Sequence, residues 1–171
     1  MRRNDLLSSM LSLFSKPKPS FERFMDGMGN FEFDLPSGWK YDEDIALVDG
    51  SYTISFRSPD KKRVFTVAVD AKIPKKFSFA KYVKAECGPK SGIIAEIKMA
   101  RFHGIPAYKR EYSFQCGSRK HFGGNIIFRG PDKVFSLTWS APESERKDAK
   151  KLFGRMMESF IIKRGFAIKR V

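Results

Sequence analysis

Strict alternation of apolar and polar residues is the clearest pattern in this chain. In residues 51–57 the apolar side chains of Tyr52, Ile54 and Phe56 alternate with polar ones, which is typical of a strand with one buried face. A turn at residues 58–61, with proline at a favoured position, separates this run from a β-branched stretch at residues 63–70. The two runs therefore predict a β-hairpin.

Further strand-like runs lie on both sides of this hairpin. Downstream they cover residues 93–102, 107–115, 124–129 and 133–139, and the turns between them are short. Short connections favour antiparallel neighbours, because a parallel crossover needs about a dozen residues. Upstream, Pro36 and Gly38 end a short strand that contains Phe33, and Trp39 after this turn is predicted to anchor the core.

Two segments change to helical spacing. Residues 78–87 follow Ser78, a plausible N-cap, and Gly88-Pro89 ends their pattern. A second helix is predicted to open at Ser140, with Pro142 in its first turn and Glu143 closing a capping box. Its apolar stripe consists of Ala149, Leu152, Phe153, Met156, Met157, Phe160 and Ile161. This order of elements predicts an α+β fold, with an antiparallel β-sheet sandwiched by α-helices.

The length of 171 residues suits one domain with its own core. We predict that this domain covers residues 30–162. Residues 1–29 would form an N-terminal helix and a Pro/Lys linker, and residues 163–171 a basic tail. The N-terminal helix would suit docking on a partner, a membrane surface or its own domain. The sequence favours a cytoplasmic protein, with organellar import as the minority alternative.

The net charge of +14 is spread unevenly. Residues 31–60 carry a net charge of −5, whereas residues 61–140 hold 17 basic and five acidic side chains, a net charge of +12. A fold that gathers the middle segment on one face would attract an acidic protein, nucleic acid or anionic lipid. A solvated basic surface without a partner is the alternative. The candidate partner-binding residues are Lys72, Lys75, Lys76, Lys81, Lys84, Arg101, Lys109, Arg110, Arg119 and Lys120.

Aromatic residues accompany some of these cations. Tyr108, Arg110, Tyr112 and Phe114 fall on one side of their predicted strand, and aromatic rings beside arginine can stack on bases. Nucleic-acid binding by the same basic face is therefore the first alternative to protein binding. No ribonucleoprotein-type motif accompanies these rings, and aromatic residues at alternate strand positions usually form core.

Catalytic and metal signatures are weak. Cys116 and His121 would allow a Cys/His hydrolase, which is the second alternative, but a polar hairpin loop explains them equally well. A cysteine-phosphatase loop would need arginine where Phe122 stands. His103 and Cys87 add no paired ligand spacing, so we expect no metal and no cofactor. Two cysteines leave both a single bridge and free thiols open.

Five stretches, in this order, resemble the PsbP-like, Mog-type superfamily, which includes the bacterial DcrB-like proteins. They are Phe33-x-Leu35-Pro36-x-Gly38-Trp39, residues 56–60, residues 104–108, Phe135-x-Leu137-x-Trp139 and residues 157–160. The resemblance covers about residues 30–162 and implies an antiparallel sheet sandwiched by helices. It also implies an accessory, chaperone or adaptor role without catalysis, and it assigns no functional residue to this chain.

Overall fold

The computed structural model describes residues 19–44, 50–71, 77–87 and 95–163. The two helices within these ranges are α1 (Phe79–Cys87) and α2 (Arg146–Glu158), and a 3₁₀ turn at Glu143–Glu145 precedes α2. The strands are β1 (Phe21–Met25), β2 (Phe31–Pro36), β3 (Lys40–Asp44), β4 (Tyr52–Arg57), β5 (Val64–Asp70), β6 (Lys98–Phe102), β7 (Ile105–Cys116), β8 (Arg119–Arg129), β9 (Val134–Pro142) and β10 (Ile161–Ile162). Neither helix is long and apolar enough to cross a membrane.

The described strands form two antiparallel sheets. The large sheet has the order β3-β4-β5-β9-β8-β7-β6, and the small sheet has the order β1-β2-β10. The predicted α+β sandwich on an antiparallel sheet is confirmed. The sequence did not predict the small sheet, whose strand β1 lies upstream of residue 30. The predicted N-terminal helix with its membrane contact and residues 164–171 of the predicted basic tail lie outside the described residues.

The main core lies between the two sheets and α2. Phe33 of the small sheet packs edge-on against Phe56 of the large sheet, with ring centroids 5.1 Å apart. Trp39 packs on Phe153 of α2 in the same way, at 6.4 Å, which confirms its predicted role as a core anchor. Each buried aromatic side chain contributes about 1.5–3 kcal/mol of hydrophobic stabilisation, so this cluster dominates the folding energetics.

Helix α1 covers part of the opposite face of the large sheet. Its buried residues Val83 and Cys87 pack in one cluster with Ile127 and Val134 of the sheet. The Lys81 N–H lies 3.5 Å from the Ser78 hydroxyl oxygen, which confirms Ser78 as the N-cap. The large sheet is therefore enclosed by α1 on one side and by α2 with the small sheet on the other.

The predicted start of α2 is wrong. Strand β9 continues to Pro142. Near its end, Ser140 pairs with Val64 of β5, and the fully buried Ala141 pairs with Phe122 of β8. Pairing on both sides and burial outweigh the local capping signal, so the helix begins at Arg146 without a side-chain cap. Strand β8 similarly begins at Arg119, five residues before the predicted start, because the β7–β8 ladder extends almost to Gly117.

Candidate functional site

A groove opens where the second half of α2 crosses the β6 end of the large sheet. We call it the α2–β6 groove, and its volume is about 410 Å³. Apolar side chains line its interior, and its outer part carries Arg101, His103, Lys109 and Glu158. The apolar side chains are Phe102, Ile126, Trp139 and Met157.

The register of the sheet places cations beside this apolar lining. Lys109 lies opposite both Ile126 of β8 and Lys98 of β6, so all three side chains share one face of the sheet. The Lys109 ammonium also lies 6.0 Å from the centroid of the Trp139 ring. Residues far apart in the chain thus form one surface, in which an aromatic ring and two lysines are neighbours.

Gly154 keeps the helical side of the groove open. It lies well inside α2, where glycine is about 1 kcal/mol less favourable than alanine. A Cβ atom at this position would meet no atom within 4 Å, so packing does not require glycine. Since Gly154 lines the groove, the observable effect of the missing side chain is a wider groove.

Glu111 organises two lysines near the groove. Its carboxylate lies 3.0 Å from the Lys109 ammonium and 2.6 Å from the Lys150 ammonium of α2. Burial raises the pKa of Glu111, but hydrogen bonds from Lys150 and Lys109 outweigh burial and leave this pKa below its ordinary value. Glu111 therefore stays ionised at neutral pH and joins α2 to β7.

His103 connects the two elements that frame the groove. Together with Gly104 it forms the two-residue turn between β6 and β7, and both residues have positive φ angles, 49° and 81°. The His103 Nε2 atom lies 2.9 Å from the carbonyl oxygen of Met157 in the last turn of α2. Its ring packs edge-on against Phe102 at 4.5 Å.

A second cavity, of about 450 Å³, adjoins the groove along β6 and shares Ala100 and Lys109 with it. Met99, which lines this cavity, is 82% exposed. It lies opposite Tyr108 and faces the α1 side of the sheet. The edge of the sheet therefore presents an apolar side chain as well as cations.

The candidate partner-binding residues do not form one face. Arg101 and Lys109 lie at the groove, whereas Lys81 and Lys84 are exposed on α1. Arg119 and Lys120 are exposed at the far end of the β7–β8 hairpin. Lys72, Lys75 and Lys76 lie outside the described residues.

Arg110 is a correction to the candidate set, because it is only 6% exposed. Its guanidinium donates hydrogen bonds to the Asn125 side-chain oxygen and to the Cys87 carbonyl oxygen, both at 3.1 Å. It also packs over the Tyr112 ring. Arg110 therefore supports α1 on the sheet and is not part of an exposed docking surface.

Sequence reasoning missed several residues that shape the site, among them Lys98, Met99, Lys150 and Gly154. A glycine inside a strongly amphipathic helix was the one available signal, because local propensity opposes it. The other three carry no local signal, because their role depends on where α2 lies and on β6 being the edge strand of the large sheet.

Cys116 of β7 and His121 of β8 lie at the same end of the β7–β8 hairpin. Both cysteines are free thiols, Cys87 buried and Cys116 exposed. The His121 ring packs against Phe114 at 5.5 Å, and within the described ranges no hydrogen bond joins it to Cys116. In the same part of the chain, no three His, Cys, Asp or Glu side chains are grouped as metal ligands.

Comparison with known proteins identifies the fold. No family model matches the sequence, and no curated protein matches it. The structure is similar to cyanobacterial PsbP (CyanoP) from Synechocystis sp. PCC 6803, with a TM-score of 0.60 and 19% identity over 86% of this chain and 95% of that one.

Two further solved structures share this architecture. One is LpqN, involved in cell envelope biogenesis of Mycobacterium tuberculosis, with a TM-score of 0.56 and 11% identity over 96% of this chain and 98% of that one. The other is the Saccharomyces cerevisiae Ran-binding protein Mog1p, with a TM-score of 0.52 and 10% identity over 85% of this chain and 96% of that one. The class is an α+β sandwich on an antiparallel sheet. Within this class the chain has the PsbP/Mog-like fold, which confirms the fold that the sequence resemblance implied.

Proposed function

We propose that this chain is a non-enzymatic binding module that docks on a protein partner through the α2–β6 groove. The groove itself is the observation that carries this proposal: an apolar lining bordered by cations, with a helical glycine holding it open. Stable protein interfaces have the same arrangement, with aromatic and methionine side chains at the centre and polar groups around them.

The charge around the groove favours an acidic partner. Lys98, Lys109 and Lys150 contribute three cations on the groove side of the sheet. The carboxylates of Glu111 and Glu158 offset two of these charges, so these five side chains carry a net charge of +1. A positive rim accelerates association with an acidic surface and disfavours basic competitors. The Ran-binding role of Mog1p, which has the same fold, supports a protein partner for this chain.

Nucleic acid is the alternative partner for the same cations. Phosphate contacts release condensed counterions, so such binding would weaken by orders of magnitude between about 50 and 200 mM salt. The apolar lining of the groove favours protein, because its contribution to binding does not depend on counterion release.

The test is an affinity purification from the native source, with and without nuclease, that uses a pair of matched variants. Gly154→Leu fills the groove with a side chain that suits a helix, and its Cβ atom would meet no atom within 4 Å. Ala85→Leu adds similar bulk to the exposed face of α1 and serves as the control.

We expect Ala85→Leu to recover the same protein partner as the unmodified chain and Gly154→Leu to lose it. Recovery of that partner by Gly154→Leu would contradict docking in the groove. Recovery that nuclease treatment abolishes would identify nucleic acid as the partner.

A further inference from the structure

Among the residues that the structure describes, the outer edge of β6 has no strand partner. The large sheet ends at this strand. The two-residue turn makes Phe102 and Ile105 a hydrogen-bonded pair, so Ala100 and Lys98 also bond to β7. Met99 and Arg101 therefore direct their backbone N–H and C=O groups away from the sheet.

The side chains of β6 select what can pair there. The strand carries two cations, Lys98 and Arg101, and no anion. A second copy of β6 paired antiparallel would place like charges close together, which is destabilising. An acidic strand would instead meet Lys98 on the groove face and Arg101 on the other face.

Glu96 does not cancel this attraction. Its carboxylate lies 3.1 Å from the Lys98 ammonium, but both side chains are at least 70% exposed. Ion pairs this exposed are worth little, so Lys98 can exchange Glu96 for an incoming carboxylate.

We propose that β6 binds an acidic, extended segment of a partner protein by strand addition, as an eighth strand of the large sheet. This proposal rests on the proposed function and adds the mode of binding. The outward N–H and C=O groups of Met99 and Arg101 form the new ladder, and acidic side chains of the segment contact Lys98 and Arg101. An apolar side chain of the segment packs on the exposed Met99. This mode of binding requires a peptide, because nucleic acid has no row of backbone N–H and C=O groups that could pair with β6.

The decisive variant is Met99→Pro. Proline removes the outward N–H at this position and leaves the β6–β7 hydrogen bonds in place, and edge strands tolerate proline in that setting. Met99→Ala removes the same side chain but keeps the N–H, so it is the matched control. Circular dichroism and thermal unfolding of both variants establish that the sheet remains folded.

The probe is a capped, fluorescently labelled peptide of alternating glutamate and valine, titrated by anisotropy. We expect Met99→Ala to bind within about threefold of the unmodified chain and Met99→Pro to bind at least about tenfold more weakly. The same peptide with lysine in place of glutamate should not bind. In the unmodified chain, hydrogen exchange at the Met99 and Arg101 amides should slow when the glutamate peptide is added. This measurement tests the proposal even if Met99→Pro fails to fold.

Other outcomes separate the two proposals. Equal binding by Met99→Pro and Met99→Ala, or unchanged exchange at both amides, would overturn strand addition. If Gly154→Leu still loses its partner in that case, docking in the groove stands alone. Self-association of the unmodified chain that Met99→Pro abolishes would identify a second copy as the occupant and overturn the acidic segment.

Discussion

A buried arginine illustrates how one residue can be misjudged by its charge alone. Arg110 belongs to the basic middle segment, yet its guanidinium is held by Asn125 and by the Cys87 carbonyl beneath α1. The Asn125 amide in turn lies 3.7 Å from the Cys87 sulfur. A cation this buried is stabilised only by such partners, so it acts as a structural element of the α1 contact.

Replacement of Arg110 should therefore affect folding more than binding. We expect Arg110→Ala to lower the free energy of unfolding by about 2–4 kcal/mol, because it leaves the Asn125 and Cys87 acceptors without their donor. Lys81→Ala, on the exposed face of α1, is the control and should stay within about 0.5 kcal/mol. Urea denaturation measures both, and similar values for the two variants would show that Arg110 is not a structural group.

A second buried cluster joins the β1–β2 turn to the large sheet. The Asp26 carboxylate accepts hydrogen bonds from the Tyr52 hydroxyl at 2.5 Å and from the Asn30 N–H at 3.0 Å, and the Asn30 amide donates to Tyr52 at 2.8 Å. Burial and the hydrogen bond to Asp26 raise the pKa of Tyr52 far above its ordinary value of 10.0. The folded protein therefore keeps this proton at a pH where the unfolded chain releases it.

This cluster makes a prediction about alkaline pH. Above about pH 10 the unfolded state binds fewer protons than the folded state, so the free energy of unfolding falls as pH rises. Tyr52→Phe removes this proton, and its stability should decline less steeply above pH 10. At pH 7 the same variant should lose about 1–3 kcal/mol, because Asp26 loses a buried donor. Urea denaturation from pH 7 to 11 checks both effects, and parallel curves for the two proteins would rule out the assignment to Tyr52.

At the scale of elements, α2 combines a packing role with an opening. Its buried residues Ala149, Phe153 and Met156 bind it to both sheets, while Gly154 leaves space on its groove side. The sequence predicted the apolar stripe from Ala149 to Met157 because helical spacing is local. It wrongly extended this stripe to Phe160 and Ile161, because α2 ends at Glu158 and Ile161 pairs with β2 as part of β10. It could not predict the groove, because the groove depends on how α2 is placed relative to β6 in the folded chain.

Gly154 gives a direct test of a conflict between stability and binding. Because its Cβ position is open, we expect Gly154→Ala to raise the free energy of unfolding by about 0.5–1 kcal/mol through helix propensity. Ala85→Gly on the exposed face of α1 should lower it by a similar amount. Urea denaturation measures both variants. A loss of stability in Gly154→Ala would mean that the position requires glycine for folding, and the functional argument for it would fail.

At the scale of the whole molecule, strands with a long local pattern could be predicted from the sequence, whereas strand ends and short strands that depend on distant pairing could not. Strands β4 and β5 were visible because alternation continues over six or seven residues. Strand β10 has only two residues and pairs with β2, about 130 positions away, so no local pattern marks it. The end of β9 was mistaken for a helix start because the local capping signal was present, whereas pairing to β5 and β8 decides the conformation.

Phe33 should show that the two sheets fold as one unit. Its ring packs against Phe31 and Phe160 and, across the core, against Phe56 and Phe65 of the large sheet. We expect Phe33→Ala to cost about 3–5 kcal/mol, since it removes buried apolar surface and leaves a cavity between the sheets. Both sheets line that cavity, so we expect them to unfold in one shared transition at a lower urea concentration. Far-ultraviolet circular dichroism follows the secondary structure, and tryptophan fluorescence follows Trp39 and Trp139 in the same core. The two signals should therefore change together. Separate transitions for the two signals would instead mean that the small sheet and α2 unfold independently of the large sheet. In that case the α2–β6 groove would lack the rigid frame on which docking depends.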